Sequence, residues 1–213
     1  MSNDLSIHTH VFEPGNTGRT LLLLHGTGGD EHDLLPLGRK FAPGAALLSP
    51  RGNVLENGMP RFFKRYAEGV FDLEDVAFRA GELAKWLRAA IAHYGIDARK
   101  LTAVGYSNGA NIAAAMMLRE PDVVKDAILL RGMVKVEAPA PGAASTIPAQ
   151  VLMLSGENDP IIPLANARRL STLFAQRGDR VQHDVLPTGH QLTPQDLALA
   201  TSWLQGDQRR TVW

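Results

Sequence analysis

The sequence contains no cysteine, no excess of charge of either sign and no long apolar run. Without cysteine there is no disulfide framework, no thiolate metal site and no cysteine nucleophile. The 22 basic and 22 acidic residues give a formal net charge of zero, so the basic surface typical of nucleic-acid-binding proteins is missing. The longest strongly apolar run, Thr20 to Leu24, is too short to cross a bilayer. No secretory signal pattern is visible, so we expect a cytoplasmic protein. We expect no nucleic-acid partner and no membrane span.

The chain has 213 residues, of which 45% are hydrophobic, and we expect one domain over residues 1–213. Strand-like and helix-like segments alternate along it. The predicted strands are Ile7–Phe12, Thr20–His25, Ala45–Ser49, Leu101–Tyr106, Ala127–Arg131, Gln150–Ser155 and Gln182–Leu186. The predicted helices are Glu31–Phe41, Leu73–Tyr94, Gly109–Arg119, Leu164–Arg177 and Pro194–Leu204. This alternation predicts a three-layer α/β fold, with a mostly parallel central sheet of about seven strands flanked by helices.

Two segments interrupt the alternation. Residues 50–71 show no clean period and carry several aromatic and charged residues, whereas residues 138–148 are rich in proline and small residues. Loops of this length inside a compact domain are often functional.

The pentapeptide Gly-Tyr-Ser-Asn-Gly at 105–109 lies between a predicted strand and a predicted helix. A G-x-S-x-G pattern in that context is typical of a nucleophile elbow, a sharp turn that exposes the serine hydroxyl. Larger side chains two positions from the serine would collide with the crossing strand and helix, which explains both glycines. A serine hydroxyl is a weak nucleophile at neutral pH, so Ser107 also needs a base and an acid that orients the base.

Asp159 and His190 are the candidates for that acid and that base. Each follows the end of a predicted strand, where the active sites of open α/β sheets collect. The chain order Ser, Asp, His is the order expected for this type of site. Glu157 and Asp184 are weaker alternatives for the acid, and His183 for the base, because Asp184 and His183 fall within a strand pattern.

The glycine-containing loop at 25–30 follows an early strand. Glycine lets the backbone approach closely and aim an N–H inward, so the loop predicts Thr27 as one oxyanion donor, with Gly28 as second choice. Asn108, the first residue after the serine, supplies the other donor. The loop matches neither common phosphate-binding pattern. A metal site built from His25, Asp30, His32 and Asp33 is an equally minor alternative, because clustered acids more simply begin a helix at its positive end and His25 is expected to brace the loop. We expect neither a metal nor an organic cofactor.

Four segments together resemble the phospholipase/carboxylesterase family of α/β-hydrolases, the relatives of acyl-protein thioesterases, nearly end to end. They are LLLLHGTGGDEHDLLPL (21–37), GYSNGANIA (105–113), LSGENDPIIP (154–163) and LPTGHQL (186–192). The resemblance implies an α/β-hydrolase fold with Ser107 as nucleophile, Asp159 as triad acid and His190 as base. It places Thr27 and Asn108 at the oxyanion positions and implies that the chain could form a homodimer.

The family's thioesterases usually carry leucine and glutamine at the positions of Thr27 and Asn108, so a lipid thioester is not the expected substrate. Residues 49–72 look more like the bacterial carboxylesterase branch, which includes hydroquinone-related hydrolases. By analogy with that branch, residues 50–71 form part of the wall or cover over Ser107.

Five apolar side chains of this segment could line an acyl or aryl pocket, or could instead pack the segment on the body of the protein. They are Met59, Phe62, Phe63, Tyr66 and Phe71. Arg61 and Arg65 could bind a carboxylate, or could pair with Glu68.

The sequence therefore predicts a serine carboxylesterase that hydrolyses short- to medium-chain or aryl carboxylic esters through a Ser-His-Asp triad and an acyl-enzyme. Its partner would be a small-molecule ester. The alternatives are an acyl-thioesterase or lysophospholipase with the same triad, and a non-catalytic ligand-binding homologue.

Overall fold

A computed structural model of the chain describes residues 5–133 and 148–207, so most of the predicted loop at 138–148 lies outside the described residues. The strands are β1 (His10–Glu13), β2 (Thr20–Leu24), β3 (Ala46–Pro50), β4 (Val54–Glu56), β5 (Met59–Arg61), β6 (Arg65–Ala67), β7 (Val70–Phe71), β8 (Leu101–Tyr106), β9 (Asp126–Leu130), β10 (Gln150–Gly156) and β11 (Arg180–Leu186). The helices are α1 (Leu35–Phe41), α2 (Leu73–Tyr94), α3 (Asn108–Arg119), α4 (Leu164–Gln176) and α5 (Pro194–Asp207). No described helix is long and apolar enough to cross a membrane.

Seven strands form one sheet in the order β1-β3-β2-β8-β9-β10-β11. Strand β1 runs antiparallel to β3, and every other neighbouring pair in this sheet is parallel. The predicted mostly parallel, seven-stranded α/β architecture is therefore confirmed.

Helices cover both faces of the sheet, which explains the continuous apolar runs in its central strands. In β2, Leu22 and Leu24 pack in a core with α2, α3 and α4. The alternating residues Leu21 and Leu23 pack in a second core with α1 and α5. Because successive side chains of a strand point to opposite faces, one strand supplies both cores.

Helix α2 has the ends that its sequence indicates. The Asp72 carboxylate accepts a hydrogen bond from the Asp75 amide, and Gly95 ends the helix at φ 66°, the left-handed conformation that glycine adopts easily.

The predicted start of α1 at Glu31 is wrong. Residues 31–34 form turns, where the Asp30 carboxylate accepts from the His32 amide and so competes with helical hydrogen bonding.

The segment at 50–71 folds into two small hairpins, β4–β5 and β6–β7. The first turns at Asn57 and Gly58, with φ of 51° and 79°. Positive φ at both central residues is typical of a tight hairpin turn and is favoured by an Asn-Gly pair. This local signal was present in the sequence, although the flanking strands are too short to show a period.

The crossing of α3 over the end of β2 leaves no room for a side chain at Gly109. A Cβ built there would lie 1.9 Å from the carbonyl oxygen of Leu24, and a Cβ on Gly105 would lie 2.5 Å from the carbonyl oxygen of Gly109. Both glycines of the pentapeptide are therefore required by the close approach of backbone to backbone.

Gly109→Ala is expected to lower the free energy of unfolding by about 3 kcal/mol or more, because a backbone carbonyl cannot move aside as a side chain can. Gly81→Ala in α2 is the matched control, since apart from the adjacent residues and the backbone of α2 itself, a Cβ there meets no described atom within 4 Å. The control should raise stability by about 0.5–1 kcal/mol. Urea unfolding measures both, and equal stability of the two variants would contradict this account of the crossing.

Candidate active site

Ser107 occupies the sharp turn between β8 and α3, with φ 51° and ψ −111°. This conformation is unusual for a residue with a side chain. Two backbone hydrogen bonds hold it: the Ser107 N–H donates to the Leu130 carbonyl (2.9 Å), and the Asn111 N–H donates to the Ser107 carbonyl (3.0 Å). The turn projects the hydroxyl beyond the carboxyl end of the sheet.

Ser107, His190 and Asp159 form a continuous hydrogen-bonded chain. The Ser107 Oγ lies 3.0 Å from His190 Nε2, and His190 Nδ1 lies 2.8 Å from Asp159 Oδ2. The other carboxylate oxygen, Oδ1, accepts from the amides of Ile161 (2.8 Å) and Ile162 (3.0 Å). With Nδ1–H donating to the carboxylate, Nε2 is free to accept the serine proton.

The rival acid and base candidates are engaged elsewhere or exposed. His183 Nε2 lies 2.9 Å from the Ser155 hydroxyl on the neighbouring strand. Asp184 accepts from the Gln182 side chain, and Glu157 is exposed. The structure brings Asp159 and His190 to Ser107.

The predicted oxyanion residues Thr27 and Asn108 line the same cavity as Ser107. No described residue accepts a hydrogen bond from either of their backbone N–H groups, so both donors are available to a ligand. The N–H of Gly28, the second choice, already donates to the Pro60 carbonyl at 2.9 Å. The geometry therefore favours Thr27 over Gly28.

His25 braces the loop before Thr27. Its Nδ1 lies 2.6 Å from the Gly26 carbonyl oxygen, and its Nε2 accepts from the Gly52 amide at 2.9 Å. This pattern requires a neutral imidazole with the proton on Nδ1, and burial lowers the pKa of His25 accordingly. Both ring nitrogens are thus occupied, and in the part of the chain that the structure describes no group of three or more His, Asp or Glu residues could hold a metal ion.

A cavity of about 320 Å³ opens over Ser107. Its wall combines apolar and charged residues from several loops: Gly26, Thr27, Asp33, Arg61, Arg65, Glu68, Gly69, Phe71, Tyr106, Asn108, Asn111, Met133, Ile161, Ile162 and His190. Sequence reasoning missed Asn111, Met133 and the two isoleucines. Of these, only the isoleucines carried a signal, their position directly after Asp159.

Only Phe71 of the five predicted apolar lining residues belongs to that wall. Phe62 and Phe63 are buried in the core, where the Phe62 ring packs 4.8 Å from the His25 ring. Met59 is 40% and Tyr66 76% exposed. Phe62 and Phe63 therefore pack the segment on the body of the protein, which is the second of the two interpretations drawn from the sequence.

The two arginines of the segment line the cavity but pair with Glu56, so the predicted partner Glu68 is wrong. The Arg65 Nε donates to both Glu56 carboxylate oxygens, at 2.9 and 3.0 Å, and Arg61 Nη1 lies 3.3 Å from Glu56. Glu56 lies beside both arginines because the β4–β5 hairpin folds it back.

Arg131, which the sequence did not single out, is fully buried behind the site. Its guanidinium forms a bidentate pair with Asp196, at 2.7 and 2.8 Å, and Nη1 also donates to the Leu154 carbonyl at 3.2 Å. The pair is enclosed, with both side chains 0% exposed.

The remaining donors of Arg131 hold the histidine loop. Nε donates to the Gly189 carbonyl and Nη2 to the Gln191 carbonyl, each at 3.0 Å. These residues flank His190, whose own carbonyl accepts from the Tyr106 hydroxyl at 3.2 Å. All five N–H donors of the guanidinium are thus used, and three consecutive carbonyls of the loop are held.

Comparison with known proteins adds the family context. A family model described as Phospholipase/Carboxylesterase matches residues 8–206. The chain is 42% identical over 194 residues to a hydrolase named MhqD of Bacillus subtilis (strain 168), covering 91% of this chain and 96% of the relative. The crystal structure of the Bacillus cereus carboxylesterase matches with a TM-score of 0.88 and 43% identity, covering 93% of this chain and 94% of that one. A carboxylesterase from Mesorhizobium loti matches with a TM-score of 0.84 and 30% identity over 90% of each chain. These matches confirm the predicted α/β-hydrolase fold.

Asp196→Ala is expected to lower the free energy of unfolding by about 3–5 kcal/mol, because it leaves the Arg131 charge buried without its partner. It should also reduce any Ser107-dependent activity, since the loop that carries His190 loses its anchor. Glu13→Ala removes the exposed pair with Arg39 and should cost less than about 1 kcal/mol. Similar unfolding midpoints for both variants would contradict the proposed role of the buried pair.

The same pair predicts a pH dependence. Burial alone would raise the pKa of Asp196, but hydrogen bonds donated by Arg131 and Thr193 outweigh burial, so this pKa lies below its ordinary value of 3.8. A lowered carboxyl pKa stabilises the folded state above that ordinary value, and the stabilisation is lost as the pH falls through the lowered pKa. The stability difference between wild type and Asp196→Asn should therefore shrink from about pH 5 to about pH 3 in urea titrations. A constant difference in stability over this pH range would contradict the lowered pKa of Asp196.

Proposed function

The chain belongs to the phospholipase/carboxylesterase family and is a hydrolase of the carboxylesterase type, and we propose that it cleaves short- to medium-chain or aryl carboxylic esters through an acyl-enzyme on Ser107. The observation that carries the proposal is the hydrogen-bonded chain from the Ser107 hydroxyl through His190 to the Asp159 carboxylate. Such a chain activates a hydroxyl that is otherwise a weak nucleophile.

In the first half-reaction, Ser107 Oγ attacks the ester carbonyl carbon while His190 Nε2 takes the hydroxyl proton. Asp159 stabilises the imidazolium that forms. The negative charge that develops on the carbonyl oxygen is bound by the free N–H groups of Thr27 and Asn108. A single donor of this kind commonly stabilises the transition state by about 3 kcal/mol.

The attack forms a tetrahedral intermediate on Ser107. When this intermediate collapses, the bond to the alcohol oxygen breaks, and His190 gives its proton to the departing alcohol. In the second half-reaction, His190 takes a proton from water, and the resulting hydroxide attacks the acyl carbonyl of Ser107. The second intermediate uses the same two N–H donors. When it collapses, His190 returns its proton to the Ser107 oxygen and the carboxylic acid is released.

The cavity supports small substrates. Its volume of about 320 Å³ lies at the lower end of the range for ligand pockets. Phe71, Met133, Ile161 and Ile162 provide an apolar wall for an acyl chain or an aromatic ring. The wall also contains the charged residues Asp33, Arg61, Arg65 and Glu68, which reduce the apolar surface available to a long lipid chain.

Ser107→Ala is expected to lower kcat/KM for p-nitrophenyl acetate and butyrate by at least about 10⁴-fold at near-neutral pH, since it removes the nucleophile. Asp159→Asn should lose about 10⁴-fold through misorientation of His190. Initial-rate assays measure both, and urea unfolding verifies that the variants remain folded. Folded Ser107→Ala protein with wild-type activity would overturn the proposed function.

Chain-length preference is a separate prediction. We expect kcat/KM for p-nitrophenyl butyrate to exceed that for the palmitate by at least about tenfold, equivalent to about 1.4 kcal/mol of transition-state binding. A panel that adds a butyryl thioester and a lysophospholipid distinguishes the esterase from its alternatives. Faster turnover of palmitate, thioester or lysophospholipid than of butyrate ester would contradict the proposed substrate range.

A further inference from the structure

Three consecutive residues, 60–62, form hydrogen bonds to both sides of the proposed oxyanion hole. On one side, the Pro60 carbonyl accepts from the Gly28 amide at 2.9 Å. Next to it, Arg61 Nη1 donates to the Thr27 hydroxyl oxygen at 2.7 Å. The loop that carries the first oxyanion donor is therefore held through its backbone and through the Thr27 side chain.

On the other side, the amide of Phe62 donates to the side-chain oxygen of Asn108 at 2.8 Å. Asn108 is buried and begins α3. The second oxyanion donor thus belongs to a residue whose side chain is bound to the same short segment. Residues 60–62 therefore bond both to the loop that follows β2 and to the first residue of α3, which follow the neighbouring strands β2 and β8.

Arg61 is itself fixed before any ligand arrives. Its side chain is 3% exposed and lies 3.3 Å from Glu56. Its Nε donates to the Phe63 carbonyl at 3.3 Å, and the guanidinium lies 5.6 Å from the centre of the Phe63 ring. Because these contacts set the direction of the guanidinium, the hydrogen bond to Thr27 has a defined geometry.

We propose that Arg61 is a positioning residue for the oxyanion hole: by holding the Thr27 hydroxyl, it aims the Thr27 N–H at the oxygen that becomes negative during the reaction. This proposal rests on the proposed function. The loop contains Gly26, Gly28 and Gly29, so its backbone needs an external restraint to keep one direction. A displacement of about 1 Å in such a donor can reduce the rate about 100-fold.

The contact also brings positive charge close to the oxyanion donor. Arg61 lines the cavity, and its guanidinium is bound to the side chain of Thr27, whose backbone N–H is the proposed oxyanion donor. A cation near a developing oxyanion stabilises the transition state more than the neutral ester. Both effects act on kcat and leave ground-state binding largely unchanged.

The test compares Arg61→Gln, Arg61→Lys, Thr27→Val and the Arg61→Gln/Thr27→Val double variant with p-nitrophenyl butyrate. Thr27→Val removes the acceptor of the Arg61 hydrogen bond and keeps the backbone N–H. Arg61→Gln is expected to lower kcat about 10- to 100-fold with KM within about twofold. Affinity for an alkyl boronic acid, which binds the serine as a tetrahedral adduct, should fall in parallel.

Thr27→Val should lose most of what Arg61→Gln loses, since it removes the hydrogen bond but keeps the arginine charge, and the double variant should lose little more than Arg61→Gln alone. Arg61→Lys should restore part of kcat. Arg39→Gln, which removes an arginine from an exposed ion pair, should keep wild-type kcat. If Arg61→Gln does not fold, Thr27→Val tests the same hydrogen bond from its other end.

A rise in KM with unchanged kcat would overturn the proposal, because Arg61 would then bind substrate. Additive losses in the double variant would also overturn it, because Arg61 would then act independently of Thr27. A wild-type protein without Ser107-dependent hydrolysis overturns the proposed function itself. An active wild type whose kcat is insensitive to Arg61→Gln overturns only the positioning role.

Discussion

The backbone of Ser107 is the constraint on which the rest of the site depends. A φ of 51° costs a residue with a side chain about 1–3 kcal/mol, and it persists only where the surroundings determine it. Here the surroundings are the crossing of α3 over β2, which tolerates only glycine at 105 and 109, and the hydrogen bonds at both ends of the turn. Moving this turn would displace the hydroxyl and the first amide of α3 together, so nucleophile and oxyanion donor form one rigid unit.

Two further loops meet that unit, and each is oriented by a buried arginine. Arg131, paired with Asp196, holds the carbonyls on either side of His190. Arg61 holds the Thr27 side chain. A planar guanidinium suits both tasks because its five donors point in fixed directions. The central sheet thus brings the chemical groups to one edge, and buried charged hydrogen bonds give them their direction. The cost of burying the Arg131 charge is offset by Asp196 and by full use of its donors, whereas the charge of Arg61 is offset by Glu56.

Much of this arrangement could be predicted from the sequence, because it follows from local rules. Alternating apolar runs predicted the sheet, and the carboxyl ends of parallel strands meet at one edge, which predicted that Asp159 and His190 would lie near Ser107. The sequence could not predict which of the rings of Phe62, Phe63 and Phe71 would line the cavity, because only the packing of the hairpins decides this. The Arg131–Asp196 pair was equally hidden, as its members lie 65 residues apart and share no motif. The Asn57-Gly58 turn is the opposite case: the local sequence favours a hairpin turn, but the strands on either side are too short to show a period.

We propose that Ser107 is activated by His190 and Asp159 for covalent catalysis. Labelling with a fluorophosphonate, followed by mass mapping of the modified peptide, tests it most directly because the reagent reacts with an activated serine and needs no knowledge of the natural ester. We expect one label, on Ser107, in the wild-type protein, with much slower labelling in a folded His190→Ala variant. A folded wild-type protein that remains unlabelled, or that carries the label on another residue, would contradict it.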